Sequence, residues 1–123
     1  MKRIEERIKI FNKYGGHCAY CGCKLEIKDM QVDHINAKYL SEYYGNEVDN
    51  SLDNFNPSCR QCNFYKSTYS IEEFRKRIEN TLIPNLKKNF DYRLANKYGL
   101  VGEVEEKSIR FYFEGETECP RKN

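Results

Sequence analysis

Two Cys-x-x-Cys pairs constrain this chain more than any other feature. Cys18-Ala-Tyr-Cys21 and Cys59-Arg-Gln-Cys62 stand with 37 residues between Cys21 and Cys59. Each pair offers two thiols at the bite of a tetrahedral ion, and two pairs complete a shell of four soft ligands. Four thiolates leave no open coordination position, so the spacing predicts a structural zinc at Cys18, Cys21, Cys59 and Cys62. The separation exceeds that of common zinc ribbons, so something is inserted between the knuckles. A clamp of this kind can contribute on the order of 10 kcal/mol of folding free energy. The chain needs it, because its 123 residues are 39% hydrophobic and 33% charged, which predicts a thin core. Ten Tyr and seven Phe supply much of the available apolar area.

Six cysteines in a short chain would suggest disulfides if it were secreted. The opening run MKRIEERIKIFNKYGG is charged throughout and unlike a signal peptide. No stretch approaches the ~20 apolar residues of a membrane span. The expected setting is therefore cytoplasmic and reducing, where paired CxxC units bind metal. Cys23 could compete as a ligand through Cys21-Gly22-Cys23 but is expected to be a free buried thiol, and Cys119, in the polar tail, a bystander.

A single domain over 1–123 is expected, with an N-terminal helix at 2–14, a core at 16–68 and a C-terminal helical extension at 70–113. Ile4, Ile8 and Phe11 form one helical stripe, ended by Gly15-Gly16. Lys24–Lys28 and Gln31–Ile35 read as a hairpin turning at Asp29-Met30. Residues 36–51 lack periodicity and read as a loop. Leu52–Ser58 reads as a turn and short extended piece, followed by a helix from Arg60 through Lys66. Ser70 and Glu73 have capping-box spacing for another helix, which Pro84 should interrupt. A further helix over Leu86–Tyr98 should end at Gly99, and Ser108–Phe113 reads as a terminal strand.

Net charge is only +2, too weak to imply nucleic acid by itself. Its distribution is uneven. Arg75 to Lys97 holds seven Lys or Arg against Glu79 and Asp91, and Glu103 to Glu118 holds six Glu against Lys107 and Arg110. This fits a phosphate-facing surface with a solvated far edge, or two ordinary solvated faces.

Between the cysteine pairs lies Asp33-His34, and Asn63 and Lys66 follow Cys62. A carboxylate and an amide oxygen suit a hard divalent ion, and an imidazole with ordinary pKa near 6.5 suits proton abstraction from water. Neighbours on a strand point to opposite faces, so both reach one site only at a bulge or strand end. His17, the other histidine, abuts Cys18 and reads as a spare residue.

Cys-x-Tyr-Cys-Gly at 18–22, Val-Asp-His-Ile at 32–35, Leu-Asp-Asn-Phe at 52–55 and Cys-x-x-Cys-Asn-x-x-Lys at 59–66, in this order, resemble a zinc-containing HNH endonuclease. The chain is similar to small phage- or prophage-encoded members, loosely so over residues 71–113. The resemblance implies an α+β fold with a ββα-metal (His-Me finger) core. It also implies a DNA substrate and a catalytic Mg²⁺ or Mn²⁺ beside the structural Zn²⁺. By position, Asp33 and Asn63 match the ligands of the catalytic ion, His34 the general base, and Asn54 the residue that fixes the loop and orients the base. Lys66 and Arg60 are candidate substrate contacts. Lys87, Lys88 and Arg93 are weaker candidates for the DNA backbone. The chain has Asn36-Ala37 where many members carry Pro after the His.

A core of this size has little room for a sequence-reading domain, so a protein partner is a candidate source of specificity. A monomer would nick, and a dimer could cut both strands. The rival readings are a non-catalytic zinc-binding nucleic-acid module and a disulfide-stapled interaction protein.

Overall fold

The computed structural model describes residues 3–36, 45 and 51–115. Two compact units divide it: Met1–Ile71 with Arg110–Asn123, and Glu72–Ile109.

In the first unit, α1 runs over Ile4–Asn12 and buries Ile10. Gly15 and Gly16, at φ +64° and +86°, turn the chain from the helix into the first knuckle. Phe11 packs against Gly16, where an added Cβ would stand 3.1 Å from its ring. The Arg7 guanidinium donates to the carbonyls of Ile27 and Met30, at 2.9 and 3.1 Å, and so fastens α1 to the chain after the knuckle.

The expected hairpin takes a different form. Lys24 makes one isolated bridge with His17, and Ile27–Asp29 is a 3-10 turn. Gln31–His34 does become a strand, β1, but its partner is β2 at Phe55–Ser58. The pair is antiparallel, with Gln31 opposite Ser58, Val32 opposite Pro57, Asp33 opposite Asn56 and His34 opposite Phe55. Asp29-Met30 lacks the chemistry of a two-residue hairpin turn, so local closure has no strong driver. Pro57 lacks an N–H and is tolerated because β2 is an edge of a two-stranded sheet.

Helix α2, Arg60–Lys66, follows β2 after Cys59 alone. Two strands and a helix thus make the ββα unit, with the cysteine cluster at its end. Its core combines Ile10, Tyr20, Leu25, Met30, Phe55 and Phe111, all buried. Much of the loop expected at 36–51 lies outside the described residues.

The expected terminal strand at Ser108–Phe113 is absent. Tyr112 and Phe113 instead donate their backbone N–H groups to the carbonyls of Tyr20 and Ala19, at 3.0 and 2.9 Å, and Tyr112–Glu114 is a 3-10 turn. These donors satisfy the cysteine knuckle and leave no ladder to form.

The second unit is helical. The run α3 (Ile71–Arg77) passes through a π turn at Ile78–Leu82 into α4 (Ile83–Lys88). Pro84 sits in the first turn of α4, where a missing N–H costs little. So the proline accompanies a change of helical pitch without stopping the chain. Asn89 caps α5 (Phe90–Lys97), its Oδ1 accepting from the Tyr92 N–H at 2.8 Å. Gly99, at φ +71°, follows its end. The extended segment to Ile109 is held by Glu79, which accepts from the Ile109 N–H at 2.7 Å, and by Arg75, which donates to its carbonyl at 2.6 Å. Lys87 and Glu106 form an exposed ion pair at 2.9 Å, so at this point the basic and acidic stretches meet each other. Among the described residues no helix is long and apolar enough to cross a membrane.

Candidate metal centre and adjoining polar cluster

Each CxxC forms a tight turn. Gly22 donates its N–H to the Cys18 carbonyl at 3.0 Å, and Cys18 donates to the Cys23 carbonyl at 2.9 Å. Gly22 holds φ +79°, and a Cβ there would lie 2.6 Å from Tyr112 Cδ1, so both backbone and space require glycine. In the second turn the Cys62 N–H donates to Cys59 Sγ at 3.4 Å. The Cys59 N–H reaches across to Cys18 Sγ at 3.3 Å, and Ala19 N–H to the Pro57 carbonyl at 2.8 Å.

The four Sγ atoms of Cys18, Cys21, Cys59 and Cys62 lie within 4.8 Å of one another, with Cys21 and Cys59 at 3.9 Å. A Zn–S bond of about 2.3 Å implies tetrahedral edges of about 3.8 Å, so the cluster fits zinc after small adjustments. Hydrogen bonds from Cys21, Cys59 and Cys62 hold the Cys18 thiol far below its ordinary range, as expected of a thiolate among donors. Cys23, half-buried beside this cluster, is disulfide-bonded and not the free thiol expected from the sequence. Cys119 lies outside the described residues. His17 is structural: its ring stacks on Tyr112, and Nδ1 pairs with the Gly22 carbonyl at 2.9 Å.

Strand alternation separates the Asp-His pair. Asp33 is 4% exposed and shares a register position with Asn56. Its Oδ2 accepts from the Tyr20 hydroxyl at 2.5 Å and lies 3.2 Å from Lys66 Nζ, while Oδ1 lies 3.4 Å from the same ammonium. Asn56 Nδ2 donates to the Tyr20 hydroxyl oxygen at 3.3 Å, closing the network. Burial pushes the Asp33 carboxyl upward, while Lys66 and Tyr20 pull it down. Burial and the Asp33 charge also push the Tyr20 phenol up, which keeps it a proton donor to the carboxylate.

Lys66 is fully buried, and its ammonium also donates to the His34 carbonyl at 3.3 Å. From sequence alone it is a candidate substrate contact. Here the last turn of α2 aims it inward, because Asp33 is a buried charge that needs a partner. Tyr20 and Asn56 were missed. Their available signals were an aromatic inside the first knuckle and a polar residue two places from the Asn54 motif position.

His34 ends β1, half-buried, its ring edge-to-face with Phe55 at 4.7 Å between centroids. Asn54 is 3% exposed and pins the chain just beyond His34. Its Oδ1 accepts from the Asn36 N–H at 2.8 Å, its Nδ2 donates to the Asn36 carbonyl at 3.3 Å, and its own carbonyl accepts from the Ile35 N–H at 2.8 Å. Asn63, one residue past Cys62, lines a hollow of about 380 Å³ with Gln31, Arg60, Gln61 and Phe64. Among the described residues, Asp33 makes no hydrogen bond to Asn63.

A carboxylate and an amide oxygen are the donors a hard divalent ion takes. Two carboxylate oxygens can accept about four partners, so Asp33 retains acceptor capacity beyond Tyr20 and Lys66. Asp33 and Asn63 thus carry oxygen donors of the type a hard divalent ion takes, with the Lys66 ammonium 3.2 Å from the Asp33 carboxylate.

Residues 18–68 match the family model described as HNH endonuclease. The matched stretch includes both knuckles, both strands and α2. No curated protein and no solved structure matches the chain.

Proposed function

We propose that the protein is a divalent-metal-dependent endonuclease that hydrolyses DNA phosphodiester bonds, a reading supported by the match of residues 18–68 to the HNH endonuclease family model and by the four-cysteine cluster within that stretch. What carries this reading is the ββα unit itself: His34 at the end of β1, Asn54 clamping the following turn, and Asn63 next to a zinc ligand, all inside the matched stretch.

His34 acts as the general base that takes a proton from the attacking water. Asn54 keeps the backbone after His34 in one geometry, so the imidazole meets the water from a fixed direction. Asp33 and Asn63 would hold Mg²⁺ or Mn²⁺, which when bound neutralises phosphate charge and stabilises the leaving oxygen. Arg60, exposed at the start of α2 beside the hollow, supplies a cation for the substrate backbone. The four thiolates fix the start of α2, and hence Asn63, against the first knuckle. Cleavage leaves 5′-phosphate and 3′-hydroxyl ends.

One observation favours the rival reading of a non-catalytic nucleic-acid module: the Asp33 carboxylate is already neutralised by Lys66. Supercoiled plasmid incubated with the zinc-loaded protein separates the two. The nuclease reading expects nicked or linear product in Mg²⁺ and none in EDTA. Retarded but uncut DNA in both buffers would establish the binding module instead.

A further inference from the structure

A lysine with no exposed surface stands out in a thin polar domain. Lys66 Nζ lies 3.2 and 3.4 Å from the two Asp33 oxygens and 3.3 Å from the His34 carbonyl. One ammonium therefore holds both halves of the Asp33-His34 dipeptide, with Tyr20 closing the other side of the carboxylate. The argument rests on the reading above, in which Asp33 is a ligand of the catalytic cation. A divalent ion against Asp33 and a buried ammonium at 3.2 Å from it repel each other strongly in a low-dielectric setting. Desolvation makes either cation acceptable there only if it neutralises the carboxylate. Both together leave excess positive charge.

We infer that Lys66 is the metal-free counter-ion of Asp33, a positioning residue that keeps the Asp33-His34 dipeptide in place and yields the carboxylate when the divalent cation enters. The ammonium sits on a flexible four-carbon stem, so leaving Asp33 requires rotamer changes and no movement of the backbone. Released from the carboxylate, the ammonium becomes free to meet an incoming phosphate. Lys66 thus lowers the affinity of the empty site for metal.

The test compares zinc-loaded wild type, Lys66→Met and Lys66→Arg, titrated with Mn²⁺ and read by the electron paramagnetic resonance of free and bound ion. Asp33→Asn serves as the blank. Lys66→Met should bind Mn²⁺ at least tenfold tighter than wild type even where its melting temperature is lower, and Lys66→Arg should stay near wild type. A merely structural lysine would lower affinity and melting temperature together, so equal or weaker binding by Lys66→Met overturns the inference. If Lys66→Met fails to fold, the wild type decides. Acylation of Lys66 by acetic anhydride, read by mass spectrometry, should rise severalfold at saturating Mg²⁺, and continued protection overturns the inference. Equal Mn²⁺ binding by wild type and Lys66→Met, with plasmid cleavage intact, would remove the exchange and keep the nuclease. Tighter binding by Lys66→Met without wild-type cleavage would do the reverse. No Mn²⁺ binding by any variant removes both.

Discussion

Tyr20 lies between Cys18 and Cys21 of the cysteine cluster in sequence, yet its hydroxyl serves Asp33. That bond, at 2.5 Å to a buried carboxylate, is charge-assisted. Tyr20→Phe removes it and leaves the carboxylate with Lys66 alone. A bond to a charged group contributes roughly 1.5–3 kcal/mol, so a loss of that order is expected from urea denaturation of the zinc-loaded protein. Unchanged stability would show that water replaces the hydroxyl freely. Gly22→Ala should also destabilise, by roughly 1–3 kcal/mol, because it places a side chain in the left-handed region and into the Tyr112 ring. Its melting curve should shift downward at full zinc occupancy; a neutral result would mean the knuckle can reopen around Tyr112. The residue scale was the hardest to read from sequence. Residue type and order marked Asp33, His34, Asn54 and Asn63 as candidates, and their roles stay part of the proposal. The inward turn of Lys66 was not, since lysine on a short helix is ordinarily solvated and only the burial of Asp33 makes it otherwise.

Among the elements, helices were legible because their signals are local. Gly15-Gly16 follows α1 and Gly99 follows α5 as expected, but α1 buries Ile10 and leaves Ile4 and Ile8 of the expected stripe exposed. Pairing of β1 was not legible, because its partner is contributed by residues beyond a long insertion, just before the second cysteine pair. The strand expected at Ser108–Phe113 failed for a related reason: its alternating aromatics serve the knuckle, with Phe111 and Phe113 set around Tyr20. Asn89 gives the helical unit a separate test. Asn89→Ala removes the cap of α5 and should cost about 1 kcal/mol, seen as reduced helicity by circular dichroism at elevated temperature. Equal helicity would place the start of α5 under tertiary control.

At the scale of the molecule, the four-cysteine cluster joins the first knuckle to the start of α2. β1 and β2 each hold four residues, and a two-stranded sheet of that length is marginal by itself. Cys59→Ser should therefore lower zinc content and collapse the melting transition of the unit that holds it, because metal binding and folding are one equilibrium. Full zinc content with an unaltered melting curve would mean the four thiols do not form a structural centre. In the proposed nuclease, cleavage is a property distinct from that scaffold, and His34 distinguishes the two: its ring touches Phe55 and lies outside the cysteine cluster. The decisive measurement is plasmid cleavage in Mg²⁺ by wild type and His34→Ala at matched zinc content and melting temperature. Loss of the general base should slow cleavage by about 10²–10⁴-fold. A His34→Ala protein that cuts within a few-fold of wild type would contradict the account.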